Sequence, residues 1–225
     1  MDVYYFFKQR ADLIRHFHDA ASAPFVAAKR CIENALPPFN DPPYDDSGEP
    51  AFLSEWLQAD VEQELVGRAA VSMLSDALKQ FFVTWERYSW DKPPCSKCFK
   101  KAFESGFITG YVECFAEGFQ LDWSDCPADL NILKQVVLAR NRAQHSDLIL
   151  DHLSHDEKSL QAYPRPFFVR PDEALDLSAS TFLSPTIHIS REKILEAIAH
   201  AEQLTHWLQQ KIEERLQILA LERTR

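Results

Sequence analysis

Glycine is scarce in this chain: five of 225 residues, where roughly 7% is ordinary. Glycine supplies the positive-φ positions of tight hairpins and of loops that wrap phosphates. Gly48, Gly67, Gly106, Gly110 and Gly118 never fall into G-x-G-x-x-G or G-x-x-x-x-G-K, which excludes a P-loop or Rossmann nucleotide enzyme. Long apolar runs are missing too. No stretch approaches the ~18 residues that span a bilayer, and the opening MDVYYFFKQR sets acid and base around a short aromatic run, unlike a secretory signal. A cytoplasmic protein with no membrane association is the expectation. Basic charge is also short, with 24 Lys and Arg against 34 Asp and Glu, for a net −10. General adhesion to nucleic acid or to anionic lipid is therefore disfavoured, and an anionic ligand must meet a local basic site. Five cysteines are an odd number, and in a reducing compartment free thiols are expected rather than a disulfide framework.

What is present is ordinary for a globular protein: 46% hydrophobic, 12% aromatic and 26% charged residues, in a length that suits one domain or at most two small ones, and a single domain over 1–225 is the expectation. From Asp2 to about Leu36 apolar residues recur at helical spacing, Phe6, Leu13, Phe17, Ala20, Ala21, Ala28 and Ile32 among them. Pro24 either opens a second helix or kinks a single one. The stretch 37–50, PPFNDPPYDDSGEP, is a proline-rich loop. A second helix from Ala51 to about Trp90 carries a stripe that includes Trp56, Leu65, Met73, Leu74, Leu78, Phe81 and Phe82, broad enough to imply burial on more than one side. Helical patterns follow at 96–119 and 128–150. Residues 151–189 are irregular, with β-prone runs at 167–170 and 186–189 able to pair as a short ribbon. Ser190 is a suitable N-cap for a last helix to about Leu221. The expected fold is all-α, a bundle of about five long helices with a possible β-ribbon before the last. Trp56, Phe81, Phe82, Trp207 and the Leu/Ile series read as core.

One segment of the fourth helix stands apart, VVLARNRAQHSD from Val136 to Asp147. Arg140-Asn141, three residues, then His145 resembles the motif of the HEPN family, whose ribonucleases carry Arg-x(4–6)-His with a polar residue, commonly Asn, after the arginine. The loose pattern also fits Arg10 and His16, with Ala11 in the polar position, whereas Arg-Asn-x-x-x-His has a chance expectation of roughly one in a hundred for such a chain. The chemistry suits the residue types. Asn141 and His145, four apart, share a helix face that Arg140 flanks. Histidine titrates near neutrality, and arginine offers a permanent charge and a fork for phosphate oxygens. Cleavage by 2′-OH attack needs an acid and a base on opposite sides of the phosphorus, and one helix supplies one histidine. The resemblance implies that two protomers set their motif helices side by side, so a homodimer is expected. Doubling Arg140 and Arg142 across the two-fold would create a positive site on an acidic molecule.

The resemblance thus implies a HEPN-like bundle and a metal-independent, cofactor-free endoribonuclease of the toxin or antiphage-defence type. Arg140, Asn141 and His145 would be catalytic and an antitoxin or nucleotidyltransferase a possible partner. Some family toxins are silenced through a Tyr two residues after the histidine; Asp147 stands there, which argues against that route. Arg142, with Lys97, Lys100 and Lys101 from the basic cluster that also holds Arg87 and Lys92, would extend an RNA path. Two other classes compete: a non-catalytic HEPN-like module that docks a protein partner, and a structural helical protein in which Arg140 and His145 make ordinary surface contacts. Rival sites are weaker. Cys95-Ser-Lys-Cys98 lacks the second close pair of a zinc ribbon, and its thiols read as adventitious. His16 and His18, and Asp151-His152 with His155-Asp156-Glu157, lack the HExxH spacing and read as surface residues.

Overall fold

The computed structural model describes residues 2–42, 46, 48–89, 94–144, 154–170 and 185–223. They are helical: α1 Val3–Glu33, α2 Leu53–Ser89, α3 Cys95–Cys98, α4 Lys100–Glu104, α5 Phe107–Phe119, a 3-10 turn at Trp123–Asp125, α6 Leu130–Gln144, α7 Glu157–Ala162 and α8 Arg191–Arg223. The fold is all-α. Where one helix was expected over 96–119 there are three, because the chain turns at Phe99 and again at Ser105–Gly106, where Gly106 takes φ +110°. Helix α1 runs through Pro24 unbroken. The proline removes the hydrogen bond to the Ala20 carbonyl, and Ala20 is exposed, so water can take the place of the missing donor.

Helix α2 is central and packs against α1, α6 and α8, while α1 and α6 also touch α8. One hydrophobic cluster draws on all four, with Ile14, Leu74, Phe82, Leu133, Ile198 and Leu204 among its fully buried members, and α5 adds Ile108, Phe115 and Phe119. Trp207, Phe81 and Phe82 are core as expected. Trp56 is a surface anchor instead: its Nε1 donates to Glu33 at 2.9 Å and Lys29 Nζ lies 4.5 Å from its ring centre. Helix ends follow the local chemistry. Asp2 accepts from Tyr5 N, Ser190 accepts from Lys193 N, and Asp156 accepts from Ser159 N.

No β-ribbon forms among the described residues. The irregular segments meet through one bridge, Ser154 with Thr186, and through His188 N donating to the Phe168 carbonyl at 3.3 Å. Packing holds them, since Phe168, Ile187 and Ile189 are buried on the helices. So does a half-buried charge network. Asp60 on α2 accepts from Lys29 at 2.6 Å and from Arg170 at 2.8 Å, and Glu64, one turn on, contacts Arg170 and His188. Burial pushes the Asp60 carboxyl up, but the hydrogen bonds from Lys29 and Arg170 outweigh it and leave the carboxyl below its usual range. Residues 154–170 and 185–190 are thereby fastened across the bundle, where they flank α6.

Candidate functional site

Helix α6 is set from its start. Asp129 accepts from Asn131 N at 2.8 Å, and its own N–H donates to His200 Nδ1 of α8 at 3.2 Å. Ile132, Leu133, Val136 and Ala139 turn into the core. That rotation decides where the motif side chains go. Arg140 lies at the shoulder against α2, 28% exposed, with Nη2 3.7 Å from Asp76 and Nη1 donating to Asn141 Oδ1 at 3.3 Å. Its Nε is buried and without an acceptor among the described residues. Asn141 is exposed. The structure therefore brings Arg140 and Asn141 together: the guanidinium lies against Asp76 of α2 and donates to the Asn141 amide oxygen. His145 and Asp147 lie outside the described residues.

Arg142 does not join them. Two residues on, it is turned to the other side of α6, where its Nε donates to the Ser154 carbonyl at 3.2 Å. Burial pushes the neighbouring Asp156 carboxyl up, but hydrogen bonds from Ser159, with the charges of Arg142 and His155, leave it below its usual range. Arg142 thus holds the segment that follows α6. His155 does similar work, its Nε2 2.8 Å from the Phe168 carbonyl and its N–H donating to the Pro185 carbonyl. Asp151 and His152 lie outside the described residues, and so do Asp91 and Lys92. His18 is buried in α1 and His16 is exposed. Among the described residues no three His, Cys, Asp or Glu side chains gather as metal ligands.

Lys97, Lys100 and Lys101 are all exposed on α3 and α4. Two features fix that hairpin to the bundle. Glu86 accepts from Cys95 N and from the Tyr111 hydroxyl, each at 2.6 Å, and burial together with the Glu86 charge raises the Tyr111 phenol far above its usual range. The second is a disulfide between Cys95 and Cys114, both fully buried. This corrects the expectation of free thiols for two of the five cysteines. The spacing of Cys95 and Cys98 drew attention to the wrong pair, because a turn of chain carries Cys95 inward to α5. Cys31, Cys98 and Cys126 form no disulfide.

Beside Asn141 opens a cavity of about 410 Å³, between the first turn of α5, one face of α6 and α7. Lys134, Val137, Leu138 and Asn141, at successive steps of three, one and three along α6, form one wall, and Thr109, Lys158 and Tyr163 stand opposite or beside them. The spacing on α6 was visible in the sequence. The other residues meet it only through tertiary folding, and nothing in their local sequence marks them. No helix among the described residues is long and apolar enough to cross a membrane. Comparison with family models, curated proteins and solved structures finds no match for the chain.

Proposed function

We propose that the chain is a metal-independent endoribonuclease of HEPN type that acts as a homodimer, in the setting of a toxin or a defence system. The observation that carries the reading is the coupling of Arg140 to Asn141 on the outer shoulder of α6, with the guanidinium steadied by Asp76. An arginine held by side-chain contacts loses little freedom when it meets a phosphate. His145 lies one turn beyond Asn141 in sequence and supplies the titratable group.

In the reaction the substrate 2′-oxygen forms a bond to phosphorus as His145 of one protomer takes its proton. The bond from phosphorus to the 5′-oxygen breaks as the partner's His145 donates a proton to the leaving oxygen. The products are a 2′,3′-cyclic phosphate and a 5′-hydroxyl. Arg140 stabilises the charge that gathers on the phosphorane oxygens, and Asn141 fixes the direction of Arg140. Lys97, Lys100 and Lys101 serve the flanking phosphates through their exposed charges. Arg142, bonded to Ser154, contributes to that path through its charge alone.

A non-catalytic docking module is the second reading. It is favoured by Leu57, Val61 and Leu65, which recur every fourth residue on α2 and are at least half exposed. One experiment separates the two. Purified protein is incubated with total RNA in EDTA beside His145→Ala and Arg140→Ala, with circular dichroism to verify folding. Cleavage by wild type with a loss of at least ~100-fold in both variants is expected. Equal cleavage by all three, or none by wild type, overturns the assignment.

A further inference from the structure

The cavity beside Asn141 is large enough for a small organic ligand, within the ~300–1,000 Å³ of such sites. Its walls limit what that ligand is. Val137, Leu138 and Phe107 give it apolar surface, and Tyr163 adds a second aromatic side chain. Burial, with Asp129 nearby, raises the Tyr163 phenol, so at neutral pH it remains a donor. Lys134 and Lys158 reach the cavity without a hydrogen-bond or ion-pair partner among the described residues, while Glu104 and Asp156 bring two carboxylates. Two charges of each sign balance, which disfavours a polyanion such as a triphosphate inside. The remaining groups, Asn141, Thr109, Ser105, Ser159 and the Tyr163 hydroxyl, are uncharged donors and acceptors. A flat, neutral heterocycle that shows both donors and acceptors at its edge fits this set.

The location selects among such molecules. Asn141 lines the cavity and also accepts from Arg140, which lies outside the lining against α2, so the guanidinium is one hydrogen bond removed from a ligand in the cavity. On the other side α4 carries the exposed Lys100 and Lys101 and ends at Glu104 on the rim. Positive charge outside, an interior of balanced charge with polar and apolar walls, and, reached through Asn141, the arginine to which the proposed reaction gives the phosphate together match one unpaired nucleotide of a single strand.

We infer that this cavity receives a single nucleobase of the RNA substrate, next to the phosphate held by Arg140, and sets the base preference of cleavage. The inference rests on the ribonuclease reading above for its second half and on the cavity itself for its first. The exposed Ala162 at the mouth allows the space to be filled without touching the core.

Two measurements test it. In the first, the four nucleoside 3′-monophosphates are titrated into His145→Ala protein by calorimetry, with and without Ala162→Trp. In the second, the ends left by wild type and by Ala162→Trp on total RNA are sequenced. The expected results are binding that favours one base, weakened at least about tenfold by Ala162→Trp, and a wild-type base preference at one position beside the cut that the variant flattens. Binding without any cleavage by wild type sustains the base site and overturns the ribonuclease reading. Cleavage with no monophosphate binding, or a base preference unchanged in folded Ala162→Trp, overturns the base site and leaves the ribonuclease reading standing.

Discussion

Gly110 shows how few atoms separate a tolerated from a broken site. A Cβ built there would lie 2.3 Å from the ring of Phe103, which packs edge-on against Tyr111. At Gly67 the same atom would meet the Ile189 carbonyl oxygen at 2.7 Å, and that neighbour is backbone. Helix propensity alone favours alanine at both positions by up to ~1 kcal/mol. Overpacking costs ~1–3 kcal/mol and wins. We therefore expect Gly67→Ala and Gly110→Ala each to destabilise by about 1–2 kcal/mol in denaturant melts. Gly67→Ala should be the worse of the two, because backbone yields less readily than a ring. A neutral or stabilising result at Gly67 would mean that residues 185–190 do not lie against α2 as described. The scarcity of glycine can be read from composition. That two of the five serve as contact points between elements cannot, because the partners, Phe103 and Ile189, are identified only by the fold.

At the scale of elements, the existence of the long helices was legible and their inner faces less so. The sequence pattern of α1 singles out Phe6 and Leu13, which are 59% and 63% exposed. The buried line is Val3, Phe7, Ala11, Ile14, His18 and Ser22, and it ends in polar residues that a hydrophobicity pattern passes over. Ser22 is accommodated because its hydroxyl donates to the His18 carbonyl. Leu65 and Met73 of α2 are likewise outward, 54% and 39% exposed. In α6 the adjacency of Arg140 and Asn141 was legible. The outward turn of Arg142 to Ser154 was not, because its acceptor belongs to an irregular segment. The disulfide was also hidden, as Cys95 and Cys114 are 19 residues apart on different helices. A loop of that length contributes ~3 kcal/mol through the unfolded state. Reduction with a phosphine should lower the melting temperature, and Cys95→Ala/Cys114→Ala should melt at the reduced value with no further response. A melt that is unmoved by reductant, together with two reduced cysteines in a peptide map, would remove the staple.

Over the whole molecule, the first and last helices are clamped by charge. Arg15 bonds both oxygens of Glu202, Arg191 bonds both oxygens of Asp19, and His18 is buried next to the second pair. Burial lowers the His18 pKa, and the nearby Asp19 charge only partly offsets it, with Arg191 and Glu192 adding smaller opposing effects. In the unfolded chain this histidine takes up a proton near its usual value of about 6.5. As pH falls below that value the unfolded state binds the proton first, so this contribution to stability is whole above about pH 6.5 and is lost as pH drops through the folded value. Asp60 acts further down. Its depressed carboxyl contributes fully above about pH 4 and loses that contribution as pH falls through its folded pKa. Both effects have the same sign, so the chain should lose stability in two stages on the acid side, with the first led by one residue. Thermal melts from pH 8 to pH 3 should show a decline beginning near pH 6.5. His18→Gln, whatever its stability at pH 8, should flatten the limb between pH 6.5 and 5 and keep the carboxylate limb below it. Parallel curves for wild type and His18→Gln across that window would mean that His18 is not held neutral between α1 and α8, and the acid sensitivity of the clamp would then belong to its carboxylates alone.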